Sequence, residues 1–88
     1  MAVINWTHRS VNDLKNIAEF IEKDSVKYAS LTIQRLMNAT HLLEENPRVG
    51  RKVPEAGHKD KIREIIQGNY RIIYQIANED LINILTVH

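Results

Sequence analysis

Apolar positions along this chain change rhythm as it proceeds. The β-branched pair Val3 and Ile4 sits in a short run, Ala2 to Trp6, that Thr7 closes, and this suits an opening strand. Val11, Leu14, Ile17, Ala18 and Ile21 then recur at three- and four-residue steps, predicting an amphipathic helix capped by Thr7 or Ser10 and ending near Lys23. Asp24-Ser25 restarts the pattern. With Ser25 as its cap, a second stripe of Ala29, Ile33, Leu36, Met37, Thr40 and Leu43 predicts a longer helix that stops before Asn46-Pro47. The short link between the two makes them a helical hairpin.

Pro47, Gly50, Pro54 and Gly57 punctuate the next stretch, so Asn46 to Asp60 reads as a surface loop with little regular structure. Beyond it the period drops to two. Ile62, Ile65 and Ile66 lead to the turn signal Gly68-Asn69; Tyr70, Ile72, Tyr74 and Ile76 then fall on one side of a strand, with Arg71, Ile73 and Gln75 on the other. Asn78-Glu79-Asp80 is turn chemistry before the β-rich run Leu81 to Val87. The order is β-α-α-β-β-β, an α+β domain in which the helical hairpin packs on one face of a small, mostly antiparallel sheet. Tyr70 and Tyr74 are expected in its core. Ile62 and Ile66 set the face of the preceding strand so that Arg63 points outward with Arg71. The place of the first strand in the sheet is left open by the pattern.

At 88 residues the chain has room for one domain, residues 1–88, and a thin core that a partner would reinforce. Its 43% hydrophobic and 26% charged residues are globular values. The absence of cysteine removes disulfides, thiolate nucleophiles and cysteine-based zinc sites, and the N-terminus has no basic region or long apolar run, so a cytoplasmic protein without a membrane segment is expected.

The net charge of +1 hides an uneven distribution. Arg48 to Arg71 holds seven basic residues against three acidic ones, Glu55, Asp60 and Glu64. Such a segment suits an anionic partner, either a phosphodiester or an acidic protein segment; ordinary solvated charge around a loop is the alternative. His8, His41, His58 and His88 are too dispersed for a metal site, the three glycines too dispersed to cradle a nucleotide cofactor, and Ser10, Ser25 and Ser30 lack a nucleophile elbow. Arginines beside a histidine could stabilise a phosphorane-like transition state and protonate a leaving oxygen, with the ribose 2′-hydroxyl as nucleophile. His88, at the end of the chain, is equally a candidate for fraying.

Trp6-Thr7, Asp13-Leu14, Phe20-Ile21, Gly50-Arg51, Val53-Pro54-Glu55, Arg63-Glu64, the run Gly68 to Tyr74, and the final Ile84, Val87 and His88 together resemble the RelE/ParE superfamily of toxins from bacterial type II toxin-antitoxin modules. The resemblance covers almost the whole chain and is closest to ParE-like members. It implies the same β-α-α-β-β-β order, growth arrest by inhibition of DNA gyrase, and neutralisation by a cognate antitoxin in a hetero-oligomer. RelE-like members instead cut mRNA on the ribosome without a metal. On that alternative the resemblance would assign catalysis to Arg51, Arg63, Arg71 and His88; on either reading the expected binding set is Arg51, Lys52, Lys61, Arg63 and Arg71. An inactive, toxin-like binding module is the third possibility. No cofactor is implied.

Overall fold

The computed structural model of the chain describes residues 1–57 and 59–88. Strand β1 (Val3–Trp6) leads into helix α1 (His8–Glu22), which reverses into helix α2 (Val26–Ala39) and a single further turn, α3 (Leu42–Glu45). A two-residue strand β2 (Arg51–Lys52) and a 3-10 turn (Pro54–Ala56) come next, then β3 (Ile62–Gln67), β4 (Tyr70–Asn78) and β5 (Leu81–Val87).

Both helix starts are where the capping chemistry puts them. Thr7 Oγ1 accepts from the Ser10 amide at 3.3 Å while donating to the Ile84 carbonyl at 2.6 Å, so one hydroxyl starts α1 and ties it to the sheet. Ser25 Oγ accepts from the Tyr28 amide at 3.0 Å. Asp13, one turn into α1, accepts from Thr86 Oγ1 at 2.7 Å and the Val87 amide at 3.0 Å, which fixes the helix over β5.

The second helix is shorter than its stripe suggested. It breaks at Thr40, whose hydroxyl donates back to the Met37 carbonyl at 2.7 Å, and Leu43 reaches the core from α3. The loop is also more ordered than the punctuation implied. Arg51 and Lys52 pair antiparallel with Glu64 and Arg63, adding a fourth antiparallel partner at one edge. At the other edge β1 lies parallel to β5, giving the order β1-β5-β4-β3-β2.

A two-residue turn, Gly68-Asn69, joins β3 to β4, with positive φ (+60°) at Gly68 alone, as a type II′ turn requires. The turn sets the register: Gln67 opposes Tyr70, and counting back places Ile65 opposite Ile72 and Arg63 opposite Tyr74. Ile72, Tyr74 and Ile76 are buried under the helices with Leu14, Leu36, Leu43, Ile82, Ile84 and Val87, and Tyr70 packs against this core. Each fully buried aliphatic side chain contributes about 1.5–3 kcal/mol, so these few residues dominate the stability of so small a chain. Val11 and Met37, though in phase with the helix stripes, remain about half exposed.

Candidate functional site

The register that orders the core divides the basic segment between two faces. Residues directly opposite each other on neighbouring strands share a face, so Arg63, opposite Tyr74, lies on the helix side of the sheet, whereas Arg71, opposite Ile66, lies on the outer side. The expectation that Arg63 and Arg71 point the same way is therefore incorrect. Both parities of β3 carry isoleucine, and Ile65 rather than Ile66 is the residue that meets the core.

On the outer face, Arg51 and Arg71 come together around a buried carboxylate, and His88 pairs with Arg71 through the backbone. Glu64, fully enclosed, accepts from Arg51 Nε and from Arg71 Nε, the latter at 2.8 Å. Arg71 Nη1 also reaches Glu55 at 3.0 Å. The Arg71 amide donates to the His88 carbonyl at 2.6 Å and the His88 amide to the Arg71 carbonyl at 3.0 Å, so His88 extends the ladder instead of fraying and stands directly opposite Arg71. Burial pushes the Glu64 carboxyl up, but hydrogen bonds from Arg71 and Arg51 outweigh it and hold the group below the usual carboxylate range. The Arg71 hydrogen bond likewise lowers Glu55, and Arg71 itself is raised by Glu55 and Glu64. With a side chain 30% exposed and its donors directed at two carboxylates, Arg71 is neutralised within the chain.

The second cluster gathers around Asp60 on the helix side. Arg48 and Arg63 pair with its carboxylate, the latter at 2.9 Å, and Lys52 approaches at 3.3 Å. Hydrogen bonds from Arg48 and Lys52 hold Asp60 below its ordinary range. Arg63, only 12% exposed, donates to the carbonyls of Asp60 (3.0 Å), Arg48 (3.2 Å) and Gly50 (2.9 Å). Those bonds make it the clamp of the 48–50 loop. Arg63→Ala is expected to cost about 1–2 kcal/mol in urea unfolding, since three carbonyls lose a charged donor at a partly wetted site; a loss below about 0.5 kcal/mol would mean that the loop stands without the clamp. Lys61 is exposed and lines a 690 Å³ groove with Arg48, Asn46, Val49 and Asn78.

The arginines of the basic segment thus fall, with Lys52, into two internally paired clusters, and Lys61 stands outside both. What composition missed is the role of the segment's carboxylates, Glu64 above all; the signal available was that a glutamate at its position, opposite Ile73, shares a face with Arg71. Among the described residues no three His, Asp or Glu side chains gather as a metal site would need; His58 lies outside the described residues. Nor is any helix of the described residues long and apolar enough to cross a membrane. On the helices Phe20 (71% exposed), Tyr28 and Leu31 are left uncovered; a 280 Å³ groove runs past Phe20, Tyr28 and Arg35 to Tyr70.

The scaffold is a two-layer α+β fold with its arginines paired internally and several large apolar side chains exposed on its helices. A family model described as the ParE toxin of the type II toxin-antitoxin system parDE matches residues 4–88, and the chain belongs to that family. It is 34% identical over 86 residues to a Sinorhizobium fredii protein named "Putative toxin Y4kP", spanning 96% of this chain and 83% of that one. A solved structure titled "Chromosomal ParDE TA system from P. aeruginosa" shares the fold at a TM-score of 0.78 and 17% identity, covering 99% of this chain and 94% of its own. The protein is a ParE-type toxin of a type II toxin-antitoxin system, and membership implies an antitoxin partner.

Proposed function

We propose that this toxin arrests growth in the cytoplasm by inhibiting DNA gyrase, and that its antitoxin neutralises it by covering the exposed apolar side chains of the helices around Phe20, Tyr28 and Leu31. The observation that carries the first half is the pairing of the cationic segment. Arg63 is spent on loop carbonyls and Arg71 on Glu64 and Glu55, so two of the arginines that a ribonuclease mechanism would need are committed to structure. A transition-state clamp works through donors aimed at developing charge and not already aimed elsewhere. The second half rests on exposed apolar area that a free protein of this size gains by burying, and that an amphipathic, disordered segment folds upon.

Relaxed plasmid incubated with gyrase, ATP and the purified toxin is expected to lose conversion to the supercoiled form, and to recover it when the antitoxin is added. Unaltered supercoiling with no cleaved complex would remove gyrase as the target.

A second reading, a ribosome-dependent endoribonuclease, is favoured by one feature only, the placement of Arg51, Arg71 and His88 on the outer face. Primer extension on mRNA from induced cells would then show cuts within translated codons that Arg71→Ala or His88→Ala abolishes in a folded protein.

A further inference from the structure

One edge of the sheet is unusually bare. Soluble proteins protect edge strands with lysine, proline or bulges, yet β1 reads Val3-Ile4-Asn5-Trp6, without a charge or a proline. The amides of Val3 and Thr7 donate inward, to Asp80 and Ile84, so by alternation Ile4 and Trp6 present their N–H and C=O groups outward. No backbone partner outside the β1·β5 ladder reaches either residue among the described residues. A 370 Å³ groove runs along this edge past Ile4, Trp6 and Met37 and ends at His41 and Glu44, which pair with each other.

The outer face supplies the second observation. Asn5 Nδ2 donates to Asn83 Oδ1 at 2.9 Å, and Asn83 Nδ2 donates to Gln75 Oε1 at 3.2 Å, an amide ladder that crosses three strands and ends at Asn5. Among the described residues nothing bonds the second N–H or the carbonyl oxygen of this terminal amide. A group with both a donor and an acceptor left over, on a strand that itself carries no charge, is complementary to a second copy of itself.

We infer that β1 is a homotypic docking edge, on which a second copy of this chain pairs β1 against β1 in antiparallel fashion about a two-fold axis through Asn5. In that register Ile4 exchanges both backbone hydrogen bonds with Trp6 of the second copy and Trp6 with its Ile4, so all four outward groups are satisfied. Centring on Ile4 would need the outward amide of Ala2, which already donates to the Glu44 carbonyl, and centring on Trp6 would pair residues of α1; centring on Asn5 uses only the outward groups of Ile4 and Trp6 and ends where His8 of the second copy, the start of its α1, meets Ala2. The two Asn5 residues form a non-hydrogen-bonded pair, Cα atoms about 4.5 Å apart, where their amides bond reciprocally and continue the ladder through both copies. The sheets join into one. The inference is independent of which target the toxin attacks.

The chain has no cysteine, so a single introduced thiol reports without background. Asn5→Cys would place two sulfurs within disulfide reach across the axis, while Val49→Cys, on an exposed residue of a distant loop, serves as the control. Under mild oxidation the Asn5 variant is expected to form the disulfide-linked dimer much the faster. Sedimentation equilibrium of the wild type should show a concentration-dependent dimer of 10.2 kDa chains, and Asn5→Lys, which sets two ammonium groups face to face, should raise its dissociation constant about tenfold or more. Equal cross-linking rates for the two cysteines, or a wild-type mass of one chain at every concentration, overturns the inference. An edge that instead receives an extended strand from a different protein gives that single-chain mass, and so overturns it too.

Discussion

Gly50→Ala is expected to destabilise this toxin by about 3 kcal/mol, a large fraction of the total stability of so small a domain. The cause is close approach. A Cβ at residue 50 would lie 2.6 Å from the Glu64 carbonyl oxygen and 2.6 Å from the Tyr74 hydroxyl oxygen, with the Tyr74 ring edge at 2.8 Å. None of these neighbours yields cheaply. The Glu64 carbonyl belongs to the central part of β3, and Tyr74 is fully buried, its hydroxyl accepting from the Gly50 amide at 3.0 Å and donating to the Pro47 carbonyl at 2.6 Å. Relieving the overlap therefore strains the core and breaks buried hydrogen bonds together, terms of about 1–3 kcal/mol each. At about 4–8 °C per kcal/mol for a chain of this length, the melting temperature followed by circular dichroism should fall by roughly 12–24 °C. A drop of only a few degrees would mean that Tyr74 can move aside. Loss of this seam would also release the 48–50 loop that Arg63 clamps, so the two substitutions are expected to be less than additive.

The same seam explains why some of the structure was legible in the sequence and some was not. Strand β4 was legible because Tyr70, Ile72, Tyr74 and Ile76 alternate with polar or mixed positions, and the helix starts were legible because Thr7 and Ser25 are good caps ahead of apolar stripes. Parity in β3 was not, since Ile62, Ile65 and Ile66 populate both faces. The register was nevertheless encoded. A two-residue Gly68-Asn69 turn makes Gln67 and Tyr70 partners, and four steps back from Gln67 is Arg63, opposite a tyrosine already placed in the core. Strand β2 escaped because two residues carry no period, and its pairing is fixed by tertiary contacts around Gly50. The parallel position of β1 depends on Asp80 and Ile84, nearly eighty residues away, and no local pattern specifies that. Family and fold were readable along the whole chain; the pairing of its charges needed coordinates.

Glu64→Ala is expected to cost about 2–3 kcal/mol, below the 3–5 kcal/mol typical of breaking a fully buried pair because Arg51, 68% exposed, and Arg71 can recover some water. Glu64→Gln, which keeps the volume and part of the hydrogen bonding, should cost less. The pH dependence separates the charge from the packing. Because the folded protein holds the Glu64 carboxyl below its unfolded value, near 4.3, this contribution is fully present above about pH 5 and fades as the pH falls through the folded value. A plot of melting temperature against pH should therefore show wild type and Glu64→Gln well separated near neutrality and converging in acid, where the wild-type side chain becomes a neutral analogue of glutamine. Parallel curves down to about pH 2.5 would show that the carboxylate charge does not matter there. The variant also bears on function. With Glu64 neutral, Arg71 keeps only the exposed Glu55 and Arg51 loses its acidic partner, so the outer face gains free positive charge. A gyrase inhibitor that does not use this face should keep its potency in the folded variant, whereas a ribonuclease that uses Arg51 and Arg71 on phosphate should change both its rate and its salt dependence.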